Sequence, residues 1–271
     1  AISFLTPHRI VAEKVKAKKK IAWIHTDYTR VWVDAEEELK VWQKYDYVAS
    51  ISGDVTNTFL QVFPSLAPKI VEIENILSPT FVRKRAELED TDKEFRQTDK
   101  ISLLSIGRYS EQKNYDNVPD ICKRLINETK LNIKWYIIGY GGDETLIRKK
   151  IKEAGMEEHV ILLGKRSNPY PYIKACDIYV QPSRYEGKSV TVREAQMLCK
   201  PVVVTNYPTA PSQIRSGIDG VIVPMDNEGC AHGLAEVICD KPLQERIIAH
   251  LKTHDYGNES EVEKIYTLIY E

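Results

Sequence analysis

Two carboxylates eight positions apart, Glu186 and Glu194, are the residues whose types and spacing most directly suggest chemistry. An apolar strand predicted at 178–180 precedes them, and a helix predicted over 189–198 carries the second. A helix start leaves backbone N–H groups free, and with the helix dipole these groups favour bound phosphate. We expect Glu186 in the loop and Glu194 in the second helical turn to reach one ligand. A ligand with phosphate in its middle and hydroxyls at both ends, such as a nucleotide sugar, suits this arrangement.

The elements that must position these carboxylates alternate between strands and helices from residue 101 onward. Strands are predicted at 101–106, 133–138, 160–163, 178–180 and 202–205, and helices at 117–128, 144–154, 171–175 and 189–198. Apolar strands alternating with amphipathic helices indicate a doubly wound parallel α/β sheet, which binds ligands at the carboxyl ends of its strands. The loops after Ile106, Ile138, Val180 and Thr205 are therefore expected to line one cleft.

A second, shorter α/β region precedes this sheet. It contains a predicted helix at 11–20, strands at 21–25, 47–52 and 69–75, and a helix at 55–63 capped by Asp54. The charge-rich stretch 82–100 predicts a linker or an exposed helix. We therefore divide the chain into residues 1–95, a partial N-terminal lobe with a linker, and residues 96–271, a C-terminal lobe whose last helix, at 260–270, returns to the first lobe. Fewer residues precede the second lobe than a whole lobe needs, so we expect a fragment.

The composition excludes several classes of function. The 271 residues are 28% charged and 42% hydrophobic, as in ordinary globular proteins, and the net charge of −1 gives no general attraction to nucleic acid. No apolar run is long enough to span a membrane. Five scattered cysteines without a Cys-x-x-Cys pair favour a reducing compartment, which predicts a cytoplasmic protein.

The loop after the strand at 101–106 carries basic residues that fit an anionic ligand. Gly107 permits a sharp exit from the strand, and Arg108 and Lys113 could converge on a diphosphate. The alternative is a solvated loop with a salt bridge to Glu111.

Other patterns are weaker. Gly139 begins a Gly-Tyr-Gly-Gly loop, but Glu144 stands where a dinucleotide-binding fingerprint needs glycine, which argues against a dehydrogenase. The remaining interpretation is a turn that lets a nucleotide approach the backbone closely. Asp90 and Asp92 match an Asp-x-Asp metal motif but lie in the charged linker, so we expect no metal site. His25 ends a predicted strand, where a structural or a functional role is open.

The lysine-rich run at 14–20 also leaves two interpretations. It is a solvated helix face before a strand, or a face that lies against an anionic membrane.

Together, Glu186-x7-Glu194 within Pro-Ser-x-x-Glu-Gly, the Gly-Arg loop that ends in Lys113-Asn114, and the Gly-x-Gly after the next strand resemble the retaining glycosyltransferase family 4. That family has the GT-B fold of two Rossmann-like lobes. The resemblance covers roughly residues 20–256, and the segment 182–205 looks most like bacterial enzymes of capsular or other surface polysaccharide synthesis.

The resemblance implies a hexosyltransferase that moves a sugar from a nucleotide-sugar donor, with UDP as the expected nucleotide, to a saccharide or lipid-linked saccharide. It further implies retention of configuration, no metal and no other cofactor. A cytoplasmic protein with peripheral contact at the inner membrane face is consistent with such an acceptor.

The resemblance also implies roles for single residues. Glu194 would hold the ribose hydroxyls, Glu186 would face the transferred sugar, Arg108 and Lys113 would stabilise the leaving diphosphate, and His25 would lie near the donor sugar. The remaining residues implied to contact the nucleotide, through the backbone or near the base, are Gly107, Gly139, Arg166, Gly187, Lys188, Ser189 and Val190.

Two alternative functions remain open at this point. A non-hydrolysing nucleotide-sugar epimerase, or a phosphorylase, shares the two-lobe architecture; an epimerase releases a new sugar nucleotide without an acceptor. A donor-binding module would depend on a partner for catalysis.

Overall fold

The chain folds into two compact units. The computed structural model describes residues 1–88, 91, 95 and 99–270, so Asp90 and Asp92 lie outside the described residues. The N-terminal unit consists of Ala1–Leu77 and Asn258–Glu271, and the C-terminal unit consists of Ser78–Gly257.

The observed boundary after residue 77 differs from the expected one after residue 95. Helix Pro79–Ala86, which starts just before the stretch expected as a linker, buries Val82 and Ala86. Its Arg83 donates a hydrogen bond from Nε to the carbonyl of Met197 at 3.3 Å. These contacts attach the charged helix to the C-terminal unit, because the apolar residues on one of its faces outweigh its overall charge.

The N-terminal unit is built on a four-stranded parallel sheet in the order β1-β2-β3-β4. Its strands are β1 Ile2–Ser3, β2 Ile21–Ile24, β3 Tyr47–Ser50 and β4 Ile70–Glu72, and its first helices are α1 Arg9–Glu13, α2 Ala35–Trp42 and α3 Gly53–Val62. The C-terminal helix Glu261–Tyr270 belongs to the same unit, and its Leu268 packs in one core with Trp42 and Phe59.

Two local expectations for this unit are wrong. The helix expected over 11–20 is α1, which ends at Glu13, because the lysines that follow repel one another and present no apolar stripe. The cap of α3 is Ser52, whose side chain accepts a hydrogen bond from the Val55 N–H, whereas Asp54 lies within the first turn.

The C-terminal unit contains a six-stranded sheet in the order β10-β9-β8-β5-β6-β7, and all neighbouring strands are parallel. The strands are β5 Ile101–Ile106, β6 Ile133–Ile138, β7 Val160–Gly164, β8 Ile178–Gln181, β9 Val202–Thr205 and β10 Val221–Val223. The helices are α4 Pro79–Ala86, α5 Val118–Thr129, α6 Glu144–Ala154, α7 Tyr170–Ala175, α8 Val190–Met197, α9 Ala210–Gln213, α10 Asn227–Cys239 and α11 Lys241–Thr253. This is the Rossmann strand order, so the predicted doubly wound parallel sheet is confirmed.

Helices cover both faces of this sheet. Leu103 and Trp135 face a core formed with α5, α6 and α10, whereas Leu104 and Tyr136 face a core formed with α7 and α8. Adjacent residues of a strand point to opposite faces, which explains why these strands carry apolar residues on both faces. The carboxyl edge of the sheet is therefore left to loops.

Neither the cysteines nor the helices form a covalent link or a membrane span among the described residues. All five cysteines are free thiols, and Cys122, Cys176 and Cys230 are buried, where they pack as small apolar side chains. Within the described part of the chain, no helix is both long and apolar enough to cross a bilayer.

Candidate functional site

The centre of the site is an ion pair at the point where the strand order reverses. Strands β5 and β8 are neighbours, and the chain leaves them in opposite directions, which opens a crevice between their following loops. Across this crevice, Nζ of Lys113 lies 2.6 Å from Oε1 of Glu186, with side-chain exposures of 15% and 6%. The ion pair with Glu111 that we considered from the sequence is not the one that forms.

Further donors fix the Glu186 carboxylate. Its Oε1 also accepts hydrogen bonds from Nε2 of Gln181 at 2.8 Å and from Oγ of Ser183 at 2.5 Å. Its Oε2 accepts one longer bond of 3.3 Å, from Nε2 of Gln112. A carboxylate offers about four acceptor positions. Oε2 is therefore the oxygen that can accept further hydrogen bonds from a ligand.

The two loops that carry this ion pair are also joined by their backbones. The Arg184 N–H donates to the Gln112 carbonyl at 2.8 Å, and the Gln112 side chain donates to the Tyr185 carbonyl at 3.1 Å. The Arg184 guanidinium forms a second link through Asp116, with Nη2 and Oδ2 2.9 Å apart. These reciprocal bonds hold the loops in one arrangement, so the positions of Lys113 and Glu186 are set together.

Gly107 and Arg108 lie at the start of the first loop. A side chain at Gly107 would place its Cβ 2.9 Å from both Cε of Lys113 and Oη of Tyr115. Glycine at this position therefore leaves room for the Lys113 side chain. Arg108 is exposed, and among the described residues its side chain has no hydrogen-bond or ion-pair partner. It is therefore available to an anionic ligand.

Gly139 has a packing role that the sequence did not indicate. Its Cβ would lie 1.9 Å from the Gly107 carbonyl oxygen, and that of Gly141 would lie 2.3 Å from the Tyr109 carbonyl oxygen. The Tyr109 N–H also donates to the Tyr140 carbonyl at 2.9 Å. Close contact between the loops after β5 and β6 explains both glycines, without the approach of a nucleotide that we considered from the sequence.

Glu194 lies in the second turn of α8 and is only 8% exposed. The Tyr170 hydroxyl donates to its Oε1 at 2.9 Å. Burial raises the pKa of Glu194, because desolvation disfavours the carboxylate more than the tyrosine hydrogen bond favours it. Tyr170 was not predicted as a site residue, since only the folding of α7 beside α8 brings it to Glu194.

The start of α8 is held by a glutamine that the sequence analysis missed. Ser189 occupies the N-cap position, but its side chain makes no capping bond. Its N–H donates to Oε1 of Gln213 at 2.9 Å, and its carbonyl accepts from Nε2 of Gln213 at 2.8 Å. The Ser189 N–H is thus already used, whereas Val190 begins the helix and Gly187 and Lys188 lie half-buried in the loop before it.

The other two predicted residues, Arg166 and His25, follow strands of different units. Arg166 follows β7, donates from Nε to the Tyr172 hydroxyl at 3.1 Å, and has its guanidinium 5.8 Å from the centre of that ring. His25 follows β2 and belongs to the N-terminal unit. Burial lowers the pKa of His25, and its buried Nδ1 has no hydrogen-bond partner among the described residues. The imidazole is therefore held in its neutral form at neutral pH.

No group of three or more histidine, cysteine or acidic side chains in the described part of the chain is placed to hold a metal ion.

Similarity to known proteins gives independent information. A family model described as glycosyl transferases group 1 matches residues 87–254, more than half of the chain. The chain is 29% identical over 216 residues to the N-acetylgalactosamine-N,N'-diacetylbacillosaminyl-diphospho-undecaprenol 4-alpha-N-acetylgalactosaminyltransferase of Campylobacter jejuni, covering 79% of this chain and 56% of that protein. It is 27% identical over 159 residues to the amylovoran biosynthesis glycosyltransferase AmsD of Erwinia amylovora, covering 58% and 44%. The chain spans about half the length of the curated relatives it matches.

Solved structures show the same fold. Anabaena HepE in complex with UDP and glucose superposes with a TM-score of 0.78 at 16% identity, covering 93% of this chain and 72% of that one. A TarM mutant from S. aureus, in complex with Fondaparinux, alpha-GlcNAc-glycerol and UDP, superposes with a TM-score of 0.72 at 18% identity, covering 93% and 51%. The expected GT-B fold is confirmed.

Proposed function

Because the chain belongs to the glycosyl transferases group 1 family, we propose that its C-terminal unit binds a nucleotide-sugar donor, with UDP as the nucleotide. We propose that the whole protein transfers the sugar to a saccharide or lipid-linked saccharide in surface polysaccharide synthesis. The observation that carries the donor site is the Lys113–Glu186 pair at the switch point, beside the start of α8 and the buried Glu194. The UDP in the complexes of HepE and TarM and the transferase activity for which the Campylobacter relative is named support the proposal.

The geometry suggests a role for each charged group. The Glu194 carboxylate accepts hydrogen bonds from the ribose hydroxyls, and the Val190 N–H at the start of α8 points to the diphosphate. An ammonium group has three donors, so Lys113 can keep its bond to Glu186 and still donate to a phosphate oxygen. The exposed Arg108 supplies a second positive charge to the diphosphate.

The transfer step breaks the bond between the anomeric carbon and the diphosphate oxygen, and negative charge accumulates on the leaving nucleotide. The positive charges of Arg108 and Lys113 and the positive end of the α8 dipole stabilise that negative charge. They therefore bind the transition state more tightly than the ground state. We propose retention: the acceptor hydroxyl attacks the anomeric carbon from the side the diphosphate leaves, and its proton passes to the departing phosphate. Glu186 orients the sugar hydroxyls, and a neutral His25 is proposed to contact the sugar.

Calorimetric titration of this chain with UDP, uridine, GDP and UDP-sugars tests the donor site. We expect UDP to bind more tightly than uridine or GDP. For Glu194→Ala, we expect the heat released on adding UDP to equal that released on adding buffer. Equal affinity for UDP in Glu194→Ala and in the unsubstituted chain would refute the proposed donor site. Incubation with a UDP-sugar and no acceptor separates the alternatives, since only an epimerase would form a new sugar nucleotide.

We also propose that the basic segment 14–20 contacts an anionic membrane surface when the acceptor is lipid-linked. Lys14, Lys16 and Lys18 are exposed, and next to them Ile10 and Val15 are 67% and 37% exposed. Basic side chains gain about 1 kcal/mol each near an anionic bilayer surface, and exposed apolar residues add to that attraction. This contact would place the protein peripherally at the inner membrane face.

A further inference from the structure

Three side chains at four-residue intervals hold the loop that bears Glu186. All three donate to backbone carbonyls, also regularly spaced along that loop. The pairs are Thr205 Oγ1 to Ser183 O at 2.6 Å, Thr209 Oγ1 to Glu186 O at 2.9 Å, and Gln213 Nε2 to Ser189 O at 2.8 Å. The segment 205–213 therefore fixes the loop 183–189 at its start, middle and end.

Of these three side chains, Gln213 makes two hydrogen bonds to the same loop residue. It is 3% exposed and Ser189 is 5% exposed, so bulk water does not compete for their polar groups. Gln213 satisfies both the N–H and the carbonyl of Ser189, as a neighbouring strand would. Loss of the amide would leave a buried donor and a buried acceptor unpaired, and the first turn of α8 would have to move to find partners.

We infer that Gln213 is a positioning residue for the diphosphate, and Thr209 a second one. This inference rests on the proposed donor site. The Ser189 carbonyl and the Val190 N–H belong to one planar peptide group, so by donating to that carbonyl Gln213 fixes the direction in which the Val190 N–H is presented to the anion. By holding the Glu186 carbonyl, Thr209 fixes the loop whose carboxylate anchors Lys113. Hydrogen bonds to an anion depend steeply on distance and angle, so a small shift of either loop weakens binding.

The substitution Gln213→Met tests this role, with Gln244→Met as the matched control. Gln244 is 8% exposed, and its Nε2 donates to the carbonyls of Val237 at 2.7 Å and Ile238 at 3.1 Å, at the end of α10. Both variants lose a buried amide that binds backbone in the same unit, so both are expected to unfold at lower temperature. Only Gln213→Met should lose affinity for UDP, about tenfold or more, while keeping its affinity for uridine.

A second pair of variants tests the inference whether or not Gln213→Met folds. Thr209→Val removes the hydroxyl at nearly constant shape, and Thr209→Ser keeps it. We expect the valine variant to lower the ratio of UDP to uridine affinity and the serine variant to retain it. The same loss in both would overturn a role for the hydroxyl.

The outcomes distinguish this inference from the proposed function. If the unsubstituted chain does not prefer UDP over uridine, the donor site itself is refuted, and the inference falls with it. If the chain prefers UDP and Gln213→Met keeps that preference, only the positioning role is refuted. A loss of preference in Gln244→Met equal to that in Gln213→Met would also refute it, because the effect would then be one of general stability.

Discussion

Replacement of Glu194 by glutamine should have opposite effects on stability and on nucleotide binding. The carboxylate is 8% exposed, lies on α8, and accepts one hydrogen bond from Tyr170. A buried carboxylate whose one protein donor does not compensate for desolvation destabilises the fold when it is ionised. The same carboxylate is the proposed acceptor for the ribose hydroxyls, which need its charge.

The sign of the stability effect follows from the raised pKa of Glu194. The folded state binds the proton more tightly than the unfolded chain does, so stability falls as pH rises between the two pKa values. The cost of ionisation is absent below the ordinary pKa of 4.5 and fully present above the raised value. Glutamine does not ionise. Glu194→Gln should therefore unfold at a higher temperature than the unsubstituted chain at neutral pH, and the difference should shrink as pH falls.

The loss of UDP affinity can be worked out from the hydrogen bonds. Two ribose hydroxyls donating to a carboxylate contribute about 1.5–3 kcal/mol each, and a neutral bond contributes about 1 kcal/mol. Glutamine keeps one acceptor oxygen, already bonded to Tyr170 in this structure. The two bonds to the carboxylate total about 3–6 kcal/mol and one neutral bond retains about 1 kcal/mol, so the net loss is about 2–5 kcal/mol, which raises the dissociation constant roughly 30- to 4,000-fold. Affinity of the unsubstituted chain should fall as pH is lowered through the raised pKa, while that of the variant should stay flat.

Differential scanning calorimetry and isothermal titration with UDP, both from acidic to neutral pH, measure these effects. Glu245→Gln is the matched control, because Glu245 is exposed on α11 in the same unit. Glu245→Gln should change neither the unfolding temperature nor the affinity for UDP. Undiminished UDP affinity in Glu194→Gln would refute the ribose-binding role, and a lower unfolding temperature at neutral pH would refute the argument from desolvation.

Three further predictions concern charges elsewhere in the chain. Arg108→Ala should weaken UDP about tenfold and leave uridine unaffected, because the exposed guanidinium is proposed to contact only the diphosphate; calorimetry with Arg148→Ala, an exposed arginine of α6, is the control. UDP binding should survive excess EDTA, and a loss restored by Mn²⁺ would reopen a role for Asp90 and Asp92. Flotation with vesicles of anionic lipid should recover the chain, and neutral vesicles should not. Replacing Lys14, Lys16 and Lys18 by glutamine should abolish recovery, whereas the same change at Lys149, Lys150 and Lys152 of α6 should not, and equal loss in both would contradict a specific surface.

Much of the C-terminal unit could be predicted from the sequence, because its signals are local. The strands 101–106, 133–138 and 202–205 and the helix 144–154 have the predicted bounds. Strand β10 and helices α9 to α11 were not predicted. Strand β10 has only three residues, and α10 is buried along much of its surface, so neither shows a clear periodic pattern.

The candidate site divides in the same way. The spacing of Glu186 and Glu194 around a helix start, and the basic loop with Arg108 and Lys113, are properties of consecutive residues, and the sequence alone was enough to predict a donor site from them. The roles of Gln112, Tyr170 and Gln213 depend on partners that are 24 to 74 residues away along the chain. No local pattern distinguishes such residues from other polar residues, because their function arises only where the sheet brings separate loops together.

The sequence by itself therefore determined the class of fold, the edge of the sheet where a ligand would bind, and the charged residues proposed to contact it. Tertiary structure alone decided that Lys113 pairs with Glu186, that Glu194 is buried beside Tyr170, and that Gln213 holds the start of α8. The physical reason is that propensity and periodicity act over a few neighbouring residues. Burial, pKa and hydrogen-bond partnership are set by groups that meet only in the folded chain.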